Sequence, residues 1–262
     1  MTRIIKLGGS VITRDDPNDP FDFENTSRLG RELMPFASGT LLVHGTGHVG
    51  KPFAVEHEFV EDGILAADQT LLIAKIRNAL LRLNSDVVAT LCRNGVPAFS
   101  VSPANCFTED MSNFRHVSLV SELRQQMRVG HVPVFYGDLM PLSNGQFQVF
   151  SSDKITAILS RHFKTDQVVF LTDVAGVFGK NNKGEKARSP MPELALGNLQ
   201  DVFQSASDEA DVSGGMQAKI RIALDVASHT AECLIANGQE KSVLASILAG
   251  QRIECTRVVG GM

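Results

Sequence analysis

Ile4-Ile5-Lys6-Leu7-Gly8-Gly9-Ser10 decides how this chain is read. Ile4–Leu7 is an apolar run of strand length, broken only by Lys6. Two glycines follow at once. Without a Cβ the backbone there turns sharply and comes close to a ligand. Successive N–H groups in such a turn converge on one concavity suited to an anion. Lys6 adds a mobile charge beside them. Taken alone, Gly-Gly after a strand is more often a plain tight turn. The rest of the chain has to decide.

The arrangement recurs. Thr40–Val43 is a second strand and runs into His44-Gly45-Thr46-Gly47. Leu65–Arg93 reads as one long helix, with Leu71, Leu72, Ile76, Leu80, Leu83 and Val87 at three- and four-residue spacing. Asn94-Gly95 supplies its stop. Ala98–Val101 and Val132–Tyr136 are further buried strands, the second leading to Gly137-Asp138. Leu139 to Phe150 reads as a hairpin around Ser143-Asn144-Gly145. Ser151-Ser152-Asp153 caps a helix through about His162. Gln167–Leu171 is a strand ending at Thr172-Asp173. Asp211-Val212-Ser213 precedes a helix over about 214–228, Cys233–Ala236 is a late strand, and 242–248 is a short helix.

Strands alternating with helices imply a mostly parallel sheet with helices on both faces. Ligands of such sheets bind beyond the carboxyl ends of the strands. Segments 8–10, 44–51, 137–138, 172–176 and 237–238 all fall there, which favours one shared site. No linker divides the chain, so 1–262 is expected to form a single domain.

Composition narrows the classes. The 262 residues are 43% hydrophobic and 21% charged, ordinary for a globular protein with a substantial core. A net charge of −4 without a long basic run argues against a nucleic-acid platform. Cys92, Cys106, Cys233 and Cys255 are widely spaced, with no CxxC pair. Reduced thiols in a cytoplasmic protein are the expectation. Met1-Thr2-Arg3 leads straight into the first strand, unlike a signal peptide. No apolar stretch approaches the ~18 residues that span a bilayer.

Six blocks in fixed order resemble the amino acid kinase superfamily over nearly the whole length, above all its isopentenyl phosphate kinase and fosfomycin kinase branch. They are Lys6-Leu-Gly-Gly-Ser10-Val-Ile-Thr13, Leu42-Val-His44-Gly-Thr-Gly47, Val132-Pro-Val-Phe-Tyr-Gly137-Asp138, Ser151-Ser-Asp153, Thr172-Asp-Val-Ala-Gly176-Val177, and Asp211-Val-Ser-Gly-Gly-Met216 with Lys219. The resemblance implies a three-layer αβα sandwich around a mostly parallel central sheet. It implies magnesium-dependent transfer of the γ-phosphoryl group of ATP to a small phosphate- or phosphonate-ended acceptor. The N-terminal part would bind the acceptor and about 165–262 the nucleotide. A homodimer is expected, because the family is often dimeric.

Such a reaction needs two anionic groups held in line with their repulsion neutralised. By resemblance, Lys6 and Lys219 contact the transferring phosphoryl or the ATP phosphates. Gly8, Gly9 and Ser10 supply backbone donors, and the helix starting near Gly214 aims its N-terminus at phosphate. Thr172, Asp173, Gly176 and Val177 resemble the nucleotide segment. Asp153 resembles a carboxylate that organises the two lysines. Gly45, Thr46 and Gly47 would close over the acceptor, near Gly137 and Asp138. Ser213 keeps a hydroxyl where the family usually has Thr. No residue is assigned as a metal ligand. Plainer readings stay open: Gly45–Gly47 as a strand-to-helix turn, Asp153 as an N-cap, Asp173 as a structural cap.

Two departures concern the acceptor. The second glycine loop continues His48-Val49-Gly50-Lys51-Pro52, with Lys51 where isopentenyl phosphate kinases carry a His that bonds the acceptor phosphate. Lysine binds an anion but cannot imitate imidazole geometry. His48, one turn earlier, either substitutes in part or is a polar loop residue. Upstream, Asp15 stands in Arg14-Asp15-Asp16 where the family often places Lys. A carboxylate there repels a dianion unless paired. Either Arg14 takes over, or Asp15 pairs with Lys51, or the acceptor differs, an amine-bearing one suiting Asp15. The Ser-Ser-Asp form of 151–153 matches the fosfomycin kinase. Phe59, Leu65, Leu72 and Ile76 either line an acceptor slot or are ordinary core, which their helical spacing favours. The expectation is an isopentenyl phosphate kinase-like enzyme. A fosfomycin kinase, a carboxylate-phosphorylating relative and a non-catalytic nucleotide sensor are the alternatives.

Overall fold

The computed structural model describes residues 1–56, 63–181, 183–203 and 215–260. One sheet of eight strands forms the middle layer. From edge to edge it runs β11 (Glu193–Leu194), β13 (Thr256–Val258), β12 (Glu232–Asn237), β8 (Gln167–Thr172), β1 (Arg3–Leu7), β2 (Thr40–His44), β5 (Val132–Tyr136) and β4 (Ala98–Ser100). Every neighbour pair is parallel except β12 and β13.

The period of two along each strand builds two cores. Ile4, Val43, Val168, Phe170 and Ile235 point to one face, against α6 (Ser118–Arg128), α7 (Ser152–Phe163) and α8 (Gly215–Ala227). Ile5, Leu7, Leu42, Val169, Leu171 and Leu234 point to the other, against α2 (Phe23–Leu33), α4 (Thr70–Arg93) and α9 (Val243–Leu248). Burying each such side chain contributes about 1.5–3 kcal/mol. This is the expected αβα sandwich. Among the described residues no helix is long and apolar enough to cross a membrane.

The central strands end in register. Gly8 N–H donates to Leu171 O (2.8 Å), Gly45 N–H to Leu7 O (2.9 Å), Gly137 N–H to His44 O (3.1 Å) and Gly238 N–H to Thr172 O (2.7 Å). Four strand-following glycines thus extend the ladders by one rung at the carboxyl edge. Beyond that edge lie α1 (Gly9–Ile12), α3 (Gly47–Glu56), α5 (Pro103–Cys106) and a small antiparallel sheet of β3 (Ile64–Leu65), β6 (Asp138–Pro141) and β7 (Phe147–Phe150). A separate hairpin, β9 (Phe178–Lys180) with β10 (Lys186–Pro190), follows β8.

Two expectations change. The long helix begins at Thr70, because Leu65 belongs to β3 and pairs with Phe147. A turn at Ala66–Gln69 separates them, with Ala66 N–H bonded to Gln69 Oε1 at 2.9 Å. In α7 the cap is Ser151, whose side chain accepts from Lys154 N–H at 3.2 Å, so Asp153 has another task.

Candidate active site

The two glycine loops press against each other. A Cβ on Gly9 would lie 2.3 Å from Gly47 N, and one on Gly45 would lie 2.7 Å from Gly9 N. Gly47 also has φ of +48°, which disfavours a side chain. Thr13 pins the pair: its hydroxyl donates to Gly9 O at 2.8 Å and accepts His48 N–H at 2.9 Å. Among the described residues, no partner stands opposite the N–H groups of Gly9, Ser10, Thr46 and Gly47. These orphaned donors at two short helix starts make a cradle for an anion.

Charge is focused beside the cradle. Lys6 Nζ lies 2.7 Å from Asp153 Oδ1, and Lys219 Nζ lies 3.3 Å from Asp153 Oδ2. One carboxylate in the first turn of α7 therefore bridges cations from β1 and α8. Lys6 is buried, and burial lowers its pKa to about 8; Asp153 opposes that shift and Lys219 adds to it. Burial alone would raise the Asp153 pKa, but Lys219 and Lys6 outweigh it and hold the carboxyl well below the usual range. The triad carries a net positive charge when both lysines are protonated, so a further anion is welcome.

The remaining candidates divide. Thr172 is buried, its hydroxyl closing a turn with Val174 O (2.9 Å) and Val174 N–H (3.1 Å). Asp173 is exposed at the rim of the same edge. Gly176 lies so close to the β13 strand that a Cβ would meet Thr256 Oγ1 at 2.4 Å. Val177 is a core residue, and its N–H already donates to Thr256 Oγ1 at 2.9 Å. Gly137 backs onto the second loop, its Cβ position 3.1 Å from Thr46 Cγ2. Asp138 is buried, 3.4 Å from Arg77 Nε on α4. Burial raises its pKa against the pull of Arg77. Ser213, Gly214 and Phe59 lie outside the described residues.

At the acceptor mouth, Arg14 turns away to pair with Asp19. Asp15 Oδ1 faces His48 Nδ1 at 3.5 Å rather than Lys51. Lys51 is exposed on the first turns of α3. Beyond it the partly buried Val49, Phe53 and Leu72 pack on a core cluster in which Leu65, Ile73 and Ile76 are buried, so Leu65 and Ile76 are ordinary core.

The amino acid kinase family model matches residues 1–237. The chain belongs to the amino acid kinase family. Within that family it is 32% identical to the isopentenyl phosphate kinase of Methanothermobacter thermautotrophicus, covering 98% of both chains. It is 25% identical to that of Methanocaldococcus jannaschii, again over 98% of each. A solved isopentenyl phosphate kinase structure superposes with a TM-score of 0.79 at 28% identity, over 99% of this chain and all of that one.

Sequence reasoning passed over two groups of this family member's site. His44 was visible only as a strand end within the Leu42–Gly47 block, with no role attached, and Arg77 and Asn84 only as polar positions on a helix. Their signal is three-dimensional: each side chain is turned toward the strand edge.

Proposed function

We propose that this protein is an ATP-dependent kinase of a small phosphate-ended acceptor with a short apolar tail, isopentenyl phosphate being the leading candidate. One observation carries the reading: a single buried-side carboxylate holds Lys6 and Lys219 beside two facing loops with free N–H groups. That is the positive, donor-rich enclosure phosphoryl transfer requires. Bound ATP supplies the γ-phosphoryl group, and Mg2+ shields its phosphates.

This chain's residues position and neutralise. Gly9 and Ser10 hold phosphoryl oxygens through backbone donors, with Lys6 and Lys219 offsetting their charge; the Gly8 N–H expected to join them is already taken by Leu171 O. Asp153 keeps both ammonium groups in place. Thr172, Asp173 and Gly176 lie on the edge that would take the nucleotide. Among the described residues no three carboxylate, His or Cys side chains cluster to hold a metal, so the cation would rest chiefly on phosphate oxygens. The acceptor phosphate would meet Thr46, Gly47, His48 and Lys51, and its tail would lie along the partly buried Val49, Phe53 and Leu72. Those three partly buried apolar side chains favour a hydrocarbon tail over fosfomycin, which is small and polar.

The test is ADP release with isopentenyl phosphate, dimethylallyl phosphate, fosfomycin and short phosphonates, with Lys219→Ala as control. Turnover of the prenyl phosphates, lost in Lys219→Ala, supports the reading. A hydroxylamine-trappable product from a carboxylate, or no turnover of any acceptor, overturns it.

A further inference from the structure

We infer that His44 is a positioning residue: through Gly45 C=O it fixes the peptide that presents Thr46 N–H to the transferring phosphoryl group. The inference rests on the proposed kinase reading and concerns the same site.

His44 ends β2 and is 1% exposed. Its Nδ1 lies 2.9 Å from Gly45 O, and its Nε2 lies 3.2 Å from the Asn84 side-chain amide on α4. Asn84 in turn meets Ser100 Oγ at 2.5 Å. A carbonyl only accepts, so Nδ1 carries the proton and donates to Gly45 O. Burial, and to a lesser degree Lys6, lower the His44 pKa, which keeps the ring neutral. A neutral ring has one donor, so Nε2 must accept. The structure places Asn84 Oδ1 at Nε2 and Asn84 Nδ2 at Ser100 Oγ; the neutral ring requires these two near-identical amide atoms to be exchanged, with the NH2 donating to Nε2 and the oxygen accepting from the Ser100 hydroxyl. Every polar atom of the relay is then satisfied.

Direction follows from the sheet. His44 lies on the α4 face with Leu42, whereas Lys6 lies on the α7 face with Ile4. His44 thus holds Gly45 C=O toward the α4 face. The peptide is trans, so Thr46 N–H points the opposite way, toward the face of Lys6, Asp153 and Lys219. Among the described residues that N–H has no partner. Gly45 has no Cβ and cannot hold this plane by sterics, since a Cβ there would meet Gly9 N at 2.7 Å. The histidine does what a side chain on Gly45 cannot.

The test compares His44→Leu, which removes the donor, with His44→Asn, whose amide NH2 sits near the Nδ1 position. Loss of one preorganised oxyanion donor lowers kcat about 10²–10³-fold. His44→Leu should show that fall with acceptor and ATP KM within about threefold, and His44→Asn should recover most of it. Affinity for ADP–aluminium fluoride should fall about 10²-fold in His44→Leu while ADP affinity holds. Equal losses in both variants, or unchanged analogue affinity in His44→Leu, overturn the inference. Wild-type inactivity on every acceptor would sink the kinase reading instead, and the analogue affinities would still decide the role of His44.

Discussion

Asp153→Asn separates the charge role of the triad from its structural role. The carboxylate touches Lys6 at 2.7 Å and Lys219 at 3.3 Å. Burial already brings the Lys6 pKa to about 8 with Asp153 present. Without it the attraction goes and the repulsion from Lys219 stays, so the pKa drops further. The cost to the fold limits itself. At pH 7 Lys6 sheds its proton once its pKa passes below 7, so the added penalty stops after roughly one pH unit, about 1–2 kcal/mol. At about 2–4 °C per kcal/mol for a chain of this size, Tm falls by only a few degrees. The reaction has no such ceiling, because a neutral Lys6 brings no charge to the phosphoryl group; kcat should fall at least about 10²-fold. Lys6 works protonated, so activity holds below its pKa and declines as pH rises through it. Wild-type kcat/KM should therefore decline above about pH 8. In Asp153→Asn that alkaline limb should move to lower pH. Stability has the opposite sign: between about pH 8 and 10.5 the unfolded chain holds a Lys6 proton that the native state lacks, so this residue's contribution grows with pH there. Coupled ADP release from pH 6 to 10, with melting curves at each pH, reads both effects. An alkaline limb that stays put in Asp153→Asn refutes the argument.

Two further outcomes follow from the loop geometry. Gly9→Ala places a Cβ 2.3 Å from Gly47 N, backbone that cannot swing aside, so kcat should drop more than about 10²-fold. Gly197→Ala, with nothing within 4 Å, is the control and should be neutral in a turnover assay. Lys51→Ala should raise acceptor KM several-fold, more at low ionic strength, with Tm unchanged, since Lys51 is exposed. An acceptor KM indifferent to Lys51 and to salt would place the acceptor elsewhere.

The strands β1, β2, β5, β8 and β12 were legible because a buried parallel sheet writes itself as short apolar runs. Gly8 and Gly45 after β1 and β2 stood out in the sequence, and a Cβ at either would meet backbone at 2.6 or 2.7 Å. Helix α2 was not, for a physical reason: it buries Asn25, Thr26 and Ser27 along with Leu29 and Leu33. Asn25 reaches Val11 O and Gly238 O, so the inward face of this amphipathic helix opens on polar residues and leaves only Leu29 and Leu33 as its buried apolar pair. Leu65 misled the helix start because a buried strand residue and a buried helix residue look alike in isolation. In the site, the blocks holding Lys6, Asp153 and Lys219 were visible, but their shared ion pair spans three elements and has no local spacing. The same holds for Asp15, whose partner is His48 and not the Lys51 weighed for it.

Strand β1 also sets the order in which this chain can fold. Its residues pair with Thr40–His44 on one side and with Gln167–Leu171 on the other. The second partner is made long after the first, and at ~5–20 residues per second the wait is roughly 6 to 25 seconds. Through that interval one edge of Ile4-Ile5-Lys6-Leu7 lacks its neighbour, the state in which apolar strands recruit other chains. A charge within such a run is what natural sheets use to discourage that pairing. A neutral replacement such as Lys6→Met should therefore aggregate during expression as well as fail in turnover.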